Sequence, residues 1–217
     1  MQIHMNTGGL ADTNGYLFVD QAARKAAIID APQGTLEPLI DIARRDGLAV
    51  EYLLLTHGHW DHVSDHAVLT AAFPQARVLI SRAEEGRLQK PGSTLFELPY
   101  EIPPRNADGY LEDGAAIVVG GLILEALATP GHAAGHVCLY CASEHVLFAG
   151  DLLMAGSVGR YDFADGDIEA LKASLRRVLA LPDETVVLSG HGPSTTVGRE
   201  KNGNPFIRQW GLQHSAR

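Results

Sequence analysis

Short apolar runs bounded by turn residues alternate along this chain with longer stretches of helical period. Runs at residues 15–19, 26–29, 50–55 and 78–81 read as strands, as do 116–119, 122–127, 136–141, 146–148 and 185–188. Leu36, Leu39, Ile40 and Ala43 recur at the spacing of one helix face and predict a helix over 35–45. Ile168, Leu171, Leu175 and Val178 do the same over 167–179, and a shorter helix is expected over 65–72. The Pro- and Gly-bearing stretch 90–109 reads as a long loop, of a length suited to a role at the edge of a site. Strands grouped in each half with helices between them suggest two sheets covered by outer helices.

Polar residues with metal-binding side chains collect where the strands end. The run Val50 to Leu55 leads into Thr56-His57-Gly58-His59-Trp60-Asp61-His62. The other three groups repeat the arrangement: His132 after a strand and a Pro-Gly turn, Asp151 after Val146 to Gly150, and His191 after Val186 to Gly190. Rigid strands with polar residues on their exit loops are where a preassembled site belongs. Five histidines and two aspartates are too many for one four-coordinate ion, so two ions are the natural reading. His57 and His59 alternate by two and can point into one pocket; Asp61 and His62 can serve a neighbouring ion, and the two oxygens of Asp151 suit a bridge. Imidazole and carboxylate narrow the metals to zinc, iron, manganese or cobalt, with two zinc ions the expectation and iron or manganese the alternatives. A purely structural metal would call for a Cys-rich set, which is absent here.

These residues carry a resemblance to the metallo-β-lactamase superfamily, and within it to the small glyoxalase II-like (hydroxyacylglutathione hydrolase-like) thioester hydrolases. Thr56 to His62 matches their T-H-x-H-x-D-H signature, Thr129-Pro130-Gly131-His132-Ala133-Ala134-Gly135 their T-P-G-H-x-x-G segment, and Phe148-Ala149-Gly150-Asp151 their F-x-G-D segment. The resemblance implies an α/β fold, an αββα sandwich with the metal site at one edge of the two sheets. It implies His57, His59 and His132 on one metal, Asp61, His62 and His191 on the other, and Asp151 shared. Class B1 β-lactamases resemble this set but carry Cys where Asp151 stands, and flavodiiron proteins carry Glu where His59 stands. Persulfide dioxygenases share the first cluster and a G-R-x-D-F segment like Gly159 to Phe163, but typically lack the form Gly190-His191-Gly192-Pro193.

Composition changes this picture only at its margins. With 46% hydrophobic and 20% charged residues, residues 1–217 can bury a full core as one domain. The C-terminal helical domain that supplies glutathione contacts in two-domain glyoxalase II enzymes is not expected, since only residues 192–217 follow His191. A net charge of -9 disfavours a nucleic-acid partner. Residues 1–6 lack the features of a signal peptide and no run reaches membrane-spanning length, so the expectation is a cytoplasmic protein without a membrane partner. Cys138 and Cys141 have C-x-x-C spacing but lie on a strand, where residues three apart face opposite sides; core packing is expected for both.

The expected chemistry is cleavage of a small-molecule thioester, S-lactoylglutathione or a related acyl-thiol, by a metal-bound hydroxide, with Asp61 orienting the water. Two divalent ions give about +4, and two carboxylates with a hydroxide leave about +1 in the pocket. A thiol leaving group of pKa about 8.5 needs little protonation, which suits a site without an obvious general acid. Arg160 and Tyr161, soon after Asp151, are the candidate substrate contacts. A mononuclear iron persulfide dioxygenase using His57, His59 and Asp151 or His132 is the first alternative, a lactonase with the same binuclear centre the second, and a non-catalytic scaffold the third. His4, His66, His145 and His214 read as surface or hydrogen-bonded residues, while His136 is expected to support His132.

Overall fold

Alternation along the strands dictates three apolar layers. The computed structural model describes residues 1–213, so His214 lies outside the described residues. One sheet runs in the order β1 (Gln2–Gly8), β2 (Thr13–Asp20), β3 (Lys25–Ile29), β4 (Ala49–Leu54), β5 (Arg77–Ile80) and β6 (Gly109–Tyr110). The second is built from β7 (Ala116–Val119), β8 (Leu122–Ala128), β9 (Val137–Cys141), β10 (Val146–Gly150), β13 (Val186–Ser189) and β14 (Thr195–Thr196), in the order β14-β13-β10-β9-β8-β7. A small hairpin, β11 (Leu153–Met154) with β12 (Ser157–Val158), follows β10.

On β2, Tyr16 and Phe18 point between the sheets, whereas Leu17 and Val19 point to the outer helices. Strand β10 mirrors it, with Val146 and Phe148 inward and Leu147 and Ala149 outward. Phe148 meets Tyr16 and Phe18 edge-on, with ring centroids 5.4 and 5.8 Å apart. Each such aromatic pair adds about 0.5–1.5 kcal/mol to the burial of its apolar area. The cysteines obey the same rule: Cys141 faces the inter-sheet core and Cys138 the outer one.

Helix α1 (Leu36–Arg45) covers the first sheet through Leu36, Leu39, Ile40 and Ala43, joined by Val63 of α2 (Trp60–Val63), Leu69 of α3 (His66–Ala72) and Leu88 of α4 (Glu85–Gln89). The second sheet is covered by α5 (Ile168–Leu179), whose Leu171, Leu175, Val178 and Leu179 form its buried stripe. Asp167 caps α5 by accepting the backbone N–H groups of Glu169 and Ala170. Helices α6 (Val197–Gly203) and α7 (Pro205–Gln209) complete the outer layer. Layers of helix, sheet, sheet and helix result, the two covered sheets that the strand pattern suggests and the αββα sandwich that the resemblance implies.

Several elements differ from the expectation. Strand β1 was hidden because Gln2 to Gly8 mixes polar and apolar residues on a half-exposed sheet edge. Helices α2, α4, α6 and α7 have four to seven residues, too few for a 3.6-residue period to show. The loop expected after residue 90 is present, ending at β6. Among the described residues no helix is long and apolar enough to cross a membrane.

Candidate metal centre

Parallel pairing of β3 with β4 and of β10 with β13 makes these strands end at one edge of the sandwich, and the polar clusters leave from there. His57 and His59 occupy the extended segment after β4, after which α2 turns the chain so that Asp61 and His62 face a neighbouring position. His132 lies in the β8–β9 connection, Asp151 directly after β10 and His191 after β13. Strand β2 grips this last loop: the Asn14 amide donates to Ser189 O and Gly192 O at 3.0 and 2.9 Å, and the Tyr16 hydroxyl to Ser189 O at 2.6 Å.

The seven side chains form three overlapping groups: His57, His59 and His132; His57, His62 and Asp151; and Asp61, His62 and His191. Within each, one ligand atom per residue lies within 4.8 Å of the others. His59 Nδ1 is 3.0 Å from His57 Nε2 and 2.9 Å from His132 Nε2. Asp151 sits between the outer groups, its Oδ1 3.3 Å from His62 Nε2 and its Oδ2 3.3 Å from His191 Nε2 and 3.5 Å from His132 Nε2. Asp61 Oδ2 lies 3.5 Å from His62 Nε2 and 3.4 Å from His191 Nε2, and accepts the Thr13 hydroxyl at 2.8 Å.

Whether these residues suit a metal can be judged from their hydrogen bonds. His132 Nδ1 donates to Arg160 O at 2.8 Å, His191 Nδ1 to Ala11 O at 3.1 Å and His62 Nδ1 to the Asp30 carboxylate at 2.8 Å. The Thr56 hydroxyl gives its proton to Asp30 and therefore accepts from His57 Nδ1 at 3.1 Å. Outward acceptors thus fix four rings with Nδ1 protonated, so each neutral ring aims the lone pair of Nε2 inward. His62 Nε2 and Asp151 Oδ1 are buried without a hydrogen-bond partner. A buried polar atom left unpaired is costly, and an ion between these two would satisfy both. The donor set fits two divalent cations.

Electrostatics divide the two halves of the site. Burial, reinforced by His62 and His59, pushes His57 well below its ordinary range, and burial with His132 takes His59 down to about 3. Burial opposes charge on His62, but Asp61, Asp30 and Asp151 outweigh it and raise that ring well above its usual value. His191 rises to about 10 because bonds to Asp151 and Asp61 overcome its burial. The carboxylates move in the opposite sense against the same penalty, with Asp61 drawn down to about 2 by His62 and His191 and Asp151 held well below the carboxylate range.

Beside the clusters opens a cavity of about 490 Å³ lined by Asp61, Asp151 and His191, with Trp60, Phe96 and Phe163 on its walls. Phe163 stands edge-on to His59 and His132, with centroids 5.2 and 5.6 Å away. Gly92 to Phe96 bring the long loop to the cavity, and Phe96 packs edge-on against Trp60 at 5.6 Å. Arg160 also lines it, but its guanidinium is held by Asp162 through two 2.9 Å bonds and lies 4.4 Å from the Phe163 ring centroid. Tyr161 is outside the cavity lining and packs against Trp210 at 5.8 Å.

His136 was expected to support His132. Its ring stands edge-on to that of His132 with centroids 6.3 Å apart, but its hydrogen bonds go elsewhere, Nε2 accepting the backbone N–H of Asp151 at 3.1 Å and Nδ1 meeting the Thr129 hydroxyl at 2.9 Å. Burial holds its ring at about 3, neutral as an acceptor requires. Asp30 and Thr13 escaped sequence reasoning altogether. Asp30 carried a usable signal, a carboxylate at the exit of an apolar strand, the same placement as Asp151. Gly190 is bare because Asp151 Oδ1 and His62 Cε1 occupy the space a side chain would take.

A family model described as the metallo-beta-lactamase superfamily matches residues 8–191. Hydroxyacylglutathione hydrolase GloC of Haemophilus influenzae is 37% identical over 195 residues, 85% of this chain and 88% of that protein. Among solved structures, BLEG-1 B3 metallo-beta-lactamase superposes with a TM-score of 0.87 at 34% identity, covering 95% of this chain and 99% of the other. TTHA1623, solved in a di-iron-bound form, gives 0.75 at 36% identity, with coverage of 94% and 99%.

Proposed function

Because the chain belongs to the metallo-β-lactamase superfamily, we propose that it is a binuclear metal-dependent hydrolase of thioesters, with S-lactoylglutathione as its reference substrate. The observation that carries this reading is the pair of adjoining clusters meeting at Asp151, with a ring nitrogen of each histidine gathered inward on both sides. His57, His59 and His132 would hold one ion, Asp61, His62 and His191 the other, and Asp151 both. Bound divalent ions supply a water of pKa about 7 and polarise a carbonyl. Asp61, which accepts the Thr13 hydroxyl, would orient that water, and the walls of Trp60, Phe96 and Phe163 would shield the reacting carbonyl from bulk solvent. Zinc is the expected metal; the di-iron form of TTHA1623 supports iron as its competitor.

The Gly190-His191-Gly192-Pro193 segment favours this reading over a mononuclear iron dioxygenase, because persulfide dioxygenases share the first cluster but typically lack that form. The test is anaerobic turnover of S-lactoylglutathione with metal counted on the same sample. Thiol release without oxygen and about two metals per chain supports hydrolysis. A single iron with oxygen uptake on glutathione persulfide overturns it. Turnover of a lactone but no thioester would keep the centre and change the substrate.

A further inference from the structure

We propose that Glu84 is a positioning residue that locks the two loops of the first metal cluster to each other. This rests on the binuclear reading above. Glu84 ends the short helical turn after β5 and is 1% exposed. Its two carboxylate oxygens go to different loops: Oε2 accepts the backbone N–H of Gly58 at 3.0 Å, and Oε1 accepts that of Gly135 at 2.9 Å. Gly58 lies between His57 and His59, and Gly135 lies three residues beyond His132. One side chain therefore ties the segment bearing two of the three imidazoles to the segment bearing the third.

Close approach makes this clasp specific. A Cβ on Gly58 would stand 2.7 Å from Arg87 Cβ and 3.0 Å from Glu84 Oε2, and one on Gly135 would stand 2.9 Å from Glu84 Cγ. Arg87 offsets the buried charge, with Nε 3.5 Å from Glu84, and extends the connection to Asp165 on the cavity wall at 2.7 Å. None of these groups touches Asp61, His62 or His191. Loss of the clasp should therefore loosen one cluster and spare the other. Outer partners of this kind are worth about 10–100-fold in metal affinity.

The experiment is zinc binding by competition with a chromophoric chelator on the full chain. His132→Ala and His191→Ala identify which binding step belongs to which cluster. Glu84→Gln puts an amide N–H₂ against one of the two backbone donors, and Glu84→Asp is too short to span both loops, so two variants carry the same expectation. Each should weaken the first-cluster step at least 10-fold and leave the second within 3-fold. Glu200→Gln is the control, a carboxylate 2% exposed that accepts Gly156 N, Thr195 Oγ1 and Asn204 Nδ2 and bonds to none of the seven clustered side chains. It should lower the melting temperature without changing the ratio of the two steps. Equal weakening of both steps by the Glu84 variants, no weakening, or the same selectivity from Glu200→Gln would overturn the assignment. A parent protein that binds no zinc would overturn the metal-centre reading together with it.

Discussion

Asp30 and His62 are joined by a 2.8 Å bond between Oδ2 and Nδ1, and the same carboxylate takes both the backbone N–H and the hydroxyl of Thr56 at 2.8 Å. The carboxylate of β3's exit thus orients the ring that stands at the junction of the two clusters and, through Thr56, fixes the tautomer of His57. In Asp30→Asn one oxygen still accepts from Thr56, but an N–H₂ group then faces a ring nitrogen that donates. Zinc affinity should fall about 10–100-fold with the overall fold retained. Chelator competition alongside circular dichroism checks this, and an unchanged affinity would remove Asp30 from the site.

Asp61→Ala separates a catalytic centre from a metal-stabilised scaffold. Among the described residues outside the clusters, the Asp61 side chain hydrogen-bonds to Thr13 alone, so its loss should leave the fold intact. Metal content should drop from about two per chain to about one, and hydrolysis by about 10²–10⁴-fold. Full activity with one metal would instead favour a mononuclear mechanism.

Stability below neutral pH should carry a contribution from His66. Burial lowers the pKa of this ring, against a 2.7 Å bond to Pro103 O that holds the long loop. Because the folded value is depressed, the unfolded chain binds the proton more tightly. The contribution is present above the ordinary pKa of 6.5 and is lost as pH falls through 6.5 toward the folded value. His66→Gln keeps a donor for Pro103 but does not titrate. The stability of the metal-free variant should depend less on pH between 7 and 5, by at most about 1.4 kcal/mol per pH unit relative to the parent. Parallel urea titrations of both proteins would expose a parallel dependence, which would sink the idea.

Arg160 is a cation with its partner already in place. Its bidentate pair with Asp162 is solvent-exposed, and such pairs are screened by water and salt and contribute little. With the guanidinium committed to Asp162, Arg160→Ala should leave KM for S-lactoylglutathione nearly unchanged. Asp162→Asn should lower KM by freeing the guanidinium, with kcat unchanged. An increase in KM for Asp162→Asn would mean that the pair itself shapes the pocket.

Sequence reading recovered what periodicity and residue chemistry encode. Strand exits located the seven clustered side chains, and alternation placed Cys138 and Cys141 in different cores. It failed where meaning lies in long-range contact. Glu84 looks like any acid before a helix until Gly58 and Gly135 converge on it, and Asp30 gains its role only when β3 and β4 pair in parallel. Tyr161 shows the reverse case: proximity in sequence to Asp151 suggested the cavity, but its ring packs beneath Trp210. His136 stays near the His132 ring, but its Nε2 hydrogen bond goes to the backbone of Asp151, a partner that only the fold brings to it.

The long loop lines the cavity from Gly92 to Phe96, and the edge-on contact of Phe96 with Trp60 sets its expected energetics. Phe96 is 48% exposed and Leu95 63% exposed, so neither contributes much to the core. Their apolar surface lies instead at the cavity mouth, where Phe96 meets Trp60. An edge-on pair is worth about 0.5–1.5 kcal/mol, or roughly 2- to 12-fold in an equilibrium. Phe96→Ala should accordingly leave the melting temperature nearly unchanged and raise KM by a factor in that range, because the loop loses its seat beside the bound thioester. Trp60→Ala should raise KM similarly, and the double variant should cost less than the product of the two if the rings act as a pair. Multiplicative effects would mean that each ring meets the substrate independently.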